Sequence, residues 1–139
     1  MAEIEGTPLF TGSARGRLLV LDEPISFWGG VDHSNGTITD FRHPQHGETV
    51  TDRILAMPSG RGSSSSSSVF AELIRKGVAP NGVILGESDE ILVLGAIVGE
   101  LLYKRICPFL LVTPTDYAGL ATGAMISIDN DRLLVERSG

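Results

Sequence analysis

The sequence predicts an α/β fold, a compact β/β/α arrangement in which a parallel βαβαβ middle is flanked by β strands from both ends of the chain. Three observations carry this. From residue 50 onward, apolar runs of strand length alternate with stretches of helical periodicity. Before that, short apolar runs are punctuated by glycine, proline and Asn-Gly turns, and after residue 113 the pattern returns to β and closes in a hairpin. At 139 residues and 42% hydrophobic content, the chain is long enough for one core, so one domain over residues 1–139 is expected.

Taken in order, Arg17–Leu21 (R-L-L-V-L) reads as a short strand ended by Asp22-Glu23-Pro24, and Ile25–Trp28 as a further apolar β segment before the turn Gly29–Asp32. Asn35-Gly36 then leads into Thr37–Asp40, and His43-Pro44-Gln45-His46-Gly47 is another turn, so short strands and tight turns fill residues 17–57. Val50–Met57 is a strand that stops at Pro58. Val69, Phe70, Leu73 and Ile74 recur at helical spacing and predict a helix over 64–76, closed by Gly77.

Gly82–Gly86 is the next strand. Ser88-Asp89 are good caps for a helix over 90–104, which is apolar nearly all round and carries Gly95 and Gly99 four residues apart. Such a helix is expected to be buried on more than one side, with a neighbouring element close to the glycines; the second reading puts the glycines on a partner-facing side. Phe109–Val112 is a strand and Thr113–Tyr117 a loop, after which Ala124–Asp129 and Arg132–Glu136 form a hairpin over Asn130-Asp131.

The stretch Met57–Phe70, M-P-S-G-R-G-S-S-S-S-S-S-V-F, joins a strand to a helix through a glycine-framed turn packed with hydroxyls. A helix N-terminus presents unpaired backbone N–H groups and partial positive charge, and Gly60 and Gly62 let backbone approach a bound group. The residue types therefore describe an anion site lined by serine hydroxyls and Arg61. Six consecutive serines also suit a flexible linker, but these lie between two elements of one alternating α/β unit. No Lys-Ser or Lys-Thr follows the glycines, so this is not a Walker A loop, and G-x-S-x-G is absent. In parallel α/β sheets ligands gather beyond the carboxyl ends of the strands, where this turn falls.

Composition removes other classes. A net charge of −6 with 11 scattered basic residues provides no basic stripe for DNA or RNA. Met1–Gly6 lacks an apolar signal region and no apolar run reaches spanning length, so a cytoplasmic protein without a membrane partner is expected. Cys107 is the only cysteine, so the chain cannot form an internal disulfide or hold an iron–sulfur cluster by itself; burial as a small apolar side chain is the expected role. His43 and His46 form H-x-x-H in a Pro/Gly turn rather than on a helix, which disfavours zinc. His33 beside Asp32 is a weak candidate base.

Several segments together resemble the small subunit of the aconitase X type dehydratases, the aconitase X swivel domain. They are F-W-G-G-V-D (Phe27–Asp32), N-G-T-I-T-D-F-R-H-P-Q-H-G (Asn35–Gly47), G-R-G-S-S (Gly60–Ser64), V-A-P-N-G-V-I-L (Val78–Leu85) and L-G-A-I-V-G-E-L (Leu94–Leu101), covering nearly the whole chain. The resemblance implies a swivelling β/β/α fold equivalent to the mobile fourth domain of aconitase, supplied as a separate chain. It implies a large aconitase X subunit as partner, in a heterodimer or higher heteromer. That partner would hold the iron or iron–sulfur cluster, this chain alone binding none, and the complex would remove water from a small hydroxy acid.

In aconitase the matching turn reads Gly-Ser-Ser-Arg and its first serine is the base. By that match Ser63 is the catalytic base and Ser64 a substrate or oxyanion contact, with Gly62 and Arg61 at the substrate. Ser65 stands where the family pattern has arginine, so carboxylate recognition falls to Arg61 or to the partner. The resemblance covers cis-3-hydroxy-L-proline dehydratase and mevalonate 5-phosphate dehydratase, of which the former is the expectation and the latter the alternative. Two readings from other classes stay open: a phosphohistidine carrier using His33, His43 or His46, and a non-catalytic scaffold module whose serines only cap a helix.

Overall fold

A computed structural model describes residues 2–60 and 65–136. Its strands are β1 (Ala2–Glu5), β2 (Thr7–Phe10), β3 (Ser13–Val20), β4 (Ile54–Met57), β5 (Gly82–Leu85), β6 (Phe109–Leu111), β7 (Met125–Asp129) and β8 (Arg132–Glu136). Its helices are α1 (Phe27–Gly30), α2 (Ser66–Lys76), α3 (Glu90–Tyr103) and α4 (Pro114–Ala118). The strands are ordered β1-β8-β7-β3-β4-β5-β6-β2. β3 belongs to both halves: Ser13–Arg17 pair antiparallel with β7, and Leu18–Val20 pair parallel with β4. β4, β5 and β6 continue the parallel block, and β2 closes its far edge antiparallel to β6.

This makes a three-layer β/β/α fold. Side chains alternate across the parallel strands, so Leu19, Leu55, Met57, Val83, Leu85 and Phe109 pack with Phe70, Leu73, Leu92 and Ala96 of α2 and α3. Leu18, Ile54, Ala56, Ile84 and Leu110 pack with Ile126, Ile128 and Leu133 of the antiparallel layer. Burial on both faces explains why the parallel strands are uniformly apolar. Phe70 anchors the helical layer, with edge-on contacts to Phe27 (centroids 5.1 Å apart) and Phe109 (5.4 Å).

The α/β class, the βαβαβ middle and the terminal hairpin agree with the sequence reading, and several boundaries do not. β4 begins at Ile54 rather than Val50, because residues 51–53 form a turn in which Asp52 takes φ 61° and its carbonyl accepts from the Asn81 amide. The helix predicted over 64–76 is observed from Ser66.

Ile25–Trp28 is not a strand. Phe27–Gly30 is a distorted helical turn in which Phe27 is buried while Gly29, at φ 85°, leaves Trp28 facing outward. Residues 31–49 hold only isolated bridges, Val31–Ile38 and Thr37–Thr49, in place of the expected short strands. Asx-type hydrogen bonds, in which the side-chain oxygens of Asp32, Asn35 and Asp40 accept from the backbone N–H groups of Ser34, Thr37 and Arg42, organise that loop. Residues 113–117 are a capped helical turn rather than a loop, with Pro114 in its first turn and Thr113 Oγ1 accepting from Asp116 N at 3.1 Å.

The reading of α3 as buried on more than one side is also corrected. Leu92, Gly95, Ala96 and Gly99 face the interior, and Ile91, Leu94, Ile97, Leu101 and Leu102 are exposed. The glycines do admit a close neighbour, and it is α2. A Cβ at Gly95 would lie 2.7 Å from the Ser67 carbonyl oxygen, and one at Gly99 would lie 2.6 Å from Ile74 Cδ1. The glycines therefore lie on the packed side of the helix and not on a partner-facing one.

Candidate functional site at the carboxyl ends of the parallel strands

Because β3, β4, β5 and β6 run parallel, the segments that follow them share one edge of the sheet. The amino ends of α2, α3 and α4 all start from that edge. The predicted turn leaves β4 here. Pro58, Ser59 and Gly60 are described on one side of it and Ser65 on the other; Arg61, Gly62, Ser63 and Ser64 lie outside the described residues.

Around the turn the geometry is close. Asp89 caps α3, its Oδ1 accepting from Ile91 N (2.9 Å) and Leu92 N (3.2 Å). Gly60 lies directly against that carboxylate: a Cβ there would fall 1.4 Å from Asp89 Oδ2. Gly86, at the end of β5, is equally confined, since its Cβ would stand 2.7 Å from the Pro58 carbonyl oxygen. Glycine at 60 and 86 thus lets the β4 and β5 ends approach each other with the cap of α3 between them.

Ser65 does not cap α2 through its side chain. Ser65 holds the N-cap position in an αR conformation (φ −69°, ψ −17°) and makes no side-chain cap bond. Capping needs extended backbone at that residue to aim the oxygen at the first-turn amides. Ser66 is buried, and its Oγ has no hydrogen-bond partner. α2 is closed at its other end by Gly77 in the left-handed conformation (φ 74°).

The described strand-end segments themselves carry charge of one sign. In residues 21–24, 58–60, 65–66, 86–90 and 112–116 the ionisable side chains are Asp22, Glu23, Glu87, Asp89, Glu90 and Asp116, all acidic, while the loop held against Asp22 and Glu23 by Gln45 and His43 adds Arg42, His43 and His46. Tyr117 Oη donates to the Leu21 carbonyl at 2.7 Å and ties α4 to the end of β3. Its burial, reinforced by the Asp22 carboxylate, pushes the phenol pKa up and keeps it a donor.

The histidines separate. His33 and His46 are exposed, whereas His43 is buried, with Nδ1 accepting from Gln45 N (3.0 Å) and Nε2 2.9 Å from the Glu23 carbonyl oxygen. That pairing gives His43 a structural task, fastening the loop to the strand edge. Among the described residues no three His, Cys, Asp or Glu side chains are grouped to hold a metal ion. Cys107 is buried with Sγ 3.4 Å from the Pro80 carbonyl, and burial pushes its thiol pKa far up. The residues described here therefore do not fit an iron or iron–sulfur centre.

A second cleft opens at the opposite ends of the strands, lined by Arg15, Asp52, Asn81 and Arg105 among others. Its polar groups are committed to structure: Arg15 pairs with Glu136, Arg105 Nη1 donates to the Ile74 carbonyl, and Asn81 Nδ2 donates to the Arg15 and Asp52 carbonyls.

A family model described as the aconitase X swivel domain matches residues 3–136. The chain belongs to the aconitase X swivel domain family. It is 50% identical over 100 residues to the cis-3-hydroxy-L-proline dehydratase of Pseudomonas aeruginosa, covering 72% of this chain and 17% of that protein. It is 37% identical over 134 residues to the phosphomevalonate dehydratase small subunit of Pyrococcus furiosus, covering 96% of this chain and 94% of that one. The chain spans about a fifth of the length of the cis-3-hydroxy-L-proline dehydratases it matches.

Among solved structures, aconitase X of Thermococcus kodakaraensis in its holo form superposes with a TM-score of 0.88 at 28% identity, over 99% of this chain and 100% of that one. The swivel-domain fold expected from the sequence segments is therefore the observed one. No described helix is long and apolar enough to cross a membrane.

The sequence reading used Asp89 only as a cap, and its second role against Gly60 was not visible. The one available signal was the pairing of a glycine at a strand end with an acidic cap after the next strand. Nothing local in the sequence distinguishes an apolar pair that splits between core and solvent, as Phe27 and Trp28 do, from one that alternates along a strand.

Proposed function

We propose that this swivel domain is the small subunit of a two-chain, iron-dependent hydro-lyase acting on cis-3-hydroxy-L-proline, with Ser63 as the base that takes the proton beside the substrate carboxylate. Ser64, Gly62 and Arg61 are assigned to substrate contact. The observation that carries the reading is the 50% identity to a cis-3-hydroxy-L-proline dehydratase, in a chain whose Ser-containing turn springs from the carboxyl end of a parallel strand. The acidic strand edge supports the same substrate. A zwitterionic imino acid brings a cation to meet those carboxylates, whereas a phosphate monoester would favour several basic groups, and the described strand-end segments themselves carry none.

Elimination also needs help for the departing hydroxyl. The described side chains here do not supply a metal site, so the iron or iron–sulfur centre is assigned to the large subunit. On this chain's side, Ser63 precedes α2 in sequence by three residues, and a helix amino end favours an anionic oxygen, which supports the assignment of the base.

The test is reconstitution with the cognate large subunit and assay of cis-3-hydroxy-L-proline and mevalonate 5-phosphate in turn. Ser63→Ala should lower kcat on hydroxyproline at least 10²-fold, the low end for a positioned base, with assembly and iron content unchanged. Turnover of the phosphate ester alone would replace the substrate. Normal turnover by Ser63→Ala with Ser64→Ala inactive would move the base one residue along, and activity in both variants would reject a serine base.

A further inference from the structure

We infer that the outward face of α3 is the surface on which the large subunit docks; the inference rests on the two-chain reading above. Ile91, Leu94, Ile97, Leu101 and Leu102 are all exposed, Leu94 to 51%, Leu101 to 73% and Leu102 to 65%. At about 100° per residue they fall within an arc of roughly 140° that adjoins the Gly95–Gly99 side and is centred about 110° from it. Glu100, the only charged residue between Ile91 and Leu102, falls outside that arc. A surface helix should present polar residues on this side. A contiguous apolar patch of a few hundred Å² on a small domain marks an interaction site.

Two features of the fold select the occupant. Pairing of α3 with α3 of a second copy would leave the strand-end edge uncovered, whereas a specific interface of roughly 1,200–2,000 Å² is reached more readily by a partner that covers both surfaces. The start of α3 lies at that edge, because its cap Asp89 touches Gly60 at the mouth of the serine turn. Such a partner reaches Ile91 and Leu94 first and can follow the helix to Leu102. Beside them Leu9 of the edge strand β2 forms a groove with Ile91, Leu94 and Ile97, which Ser88 and Glu90 also line.

The relatives fit this arrangement. Some are named small subunits and match this chain in length, while in others the matching region is about a fifth of a longer protein. A separate subunit has no covalent tether to raise its local concentration, so its interface must hold it.

The experiment is titration of the purified chain into the cognate large subunit by calorimetry, with size-exclusion chromatography as a second readout. Leu94→Glu/Leu101→Glu replaces two exposed side chains and should leave far-UV circular dichroism and Tm unchanged while weakening binding at least 100-fold. Leu94→Gln/Leu101→Gln is a milder second variant, expected to weaken it at least 10-fold. Arg132→Glu, on the terminal hairpin, should bind as the wild type does.

Wild-type binding with equal binding by a folded Leu94→Glu/Leu101→Glu chain places the interface elsewhere and overturns this inference while leaving the two-chain reading standing. A chain that dimerises by itself, becomes monomeric on these substitutions and still binds the large subunit makes a second copy the occupant and also overturns it. Absence of any binding by the wild-type chain removes the two-chain reading and this inference together.

Discussion

Gly95→Ala tests whether the contact between α3 and α2 positions the serine turn. An alanine Cβ at this site would lie 2.7 Å from the Ser67 carbonyl oxygen and 3.1 Å from Phe70 Cβ. Ordinary contact begins near 3.4 Å, so the first turn of α2 and the middle of α3 must separate by about 0.7 Å. Alanine gains about 1 kcal/mol over glycine in a helix interior, and forcing a methyl into a packed interface costs about 1–3 kcal/mol. The balance is a net loss of about 1 kcal/mol, or a Tm lower by roughly 4 °C for a domain of this size.

The larger effect is on turnover. Ser67 is in the first turn of α2, a few residues from the proposed base, and a displacement approaching 1 Å at a reacting group costs up to about 10²-fold. A fall in kcat of about 10-fold is expected in the reconstituted complex, with little change in assembly. Gly99→Ala is the internal control, because its Cβ would meet the Ile74 side chain, two turns further from the serines; its kcat should change less. Thermal unfolding and steady-state kinetics read both quantities. A Gly95→Ala chain that melts at or above the wild-type temperature and turns over within twofold of it would refute the close-approach account.

Asp89→Ala removes the cap bonds to Ile91 and Leu92 and should lower stability by about 1 kcal/mol, with Asp89→Asn recovering most of it in chemical denaturation; equal losses for the two would reject the cap. His43→Ala leaves the Gln45 N–H and the Glu23 carbonyl without their partner and should cost about 1–3 kcal/mol, and an unchanged Tm would show that the loop does not rely on the imidazole. Asp32 is held below the usual carboxylate range, chiefly by the Ser34 hydroxyl (2.6 Å) and then by the Ser34 amide (2.8 Å). A depressed folded pKa adds stability above the ordinary carboxylate range and loses it as pH falls through the folded value. Ser34→Ala should therefore raise the Asp32 midpoint in an NMR titration, and an unmoved midpoint would reject the hydroxyl as the main cause.

What the sequence conveyed was whatever depends on short range. The β4–α2–β5–α3–β6 alternation, the Gly77 stop, the Asp89 cap and the terminal hairpin each follow from periodicity or from a single residue's backbone preference. Pairing at a distance was not legible. β1 and β2 look like a polar terminus, since Ala2–Glu5 and Thr7–Phe10 become strands only by adding to β8 and β6. The same applies to the start of β3, which extends to Ser13 because β7 lies beside it. The apolar girth of α3 was visible, but which side met α2 was decided by Gly95 and Gly99, where backbone can approach backbone. At the site, the turn's place on the strand edge was legible from the strand–turn–helix order, whereas the contact of Gly60 with Asp89 depends on the spacing of two strands.

The acidity of the strand edge also bears on where the proposed base acquires its strength. A simple alcohol ionises far above neutral pH, and each unit by which its pKa must fall requires about 1.4 kcal/mol. A helix amino end contributes at most about 2 kcal/mol. The nearby carboxylates Asp22, Glu87, Asp89 and Asp116 work in the opposite direction, since negative charge disfavours an alkoxide. One arginine in the turn, Arg61, cannot offset both. On the proposed reading the remaining positive charge comes from a partner that also excludes water, so deprotonation of Ser63 would depend on the large subunit. The chain alone should therefore show no dehydration of cis-3-hydroxy-L-proline at any pH between about 6 and 9, the range over which histidines and a moderately perturbed base titrate. The complex should gain activity in proportion to the large subunit added until the two are equimolar. Turnover by the isolated chain, measured after removing any co-purified large subunit, would refute the charge account and place the activating groups within this domain.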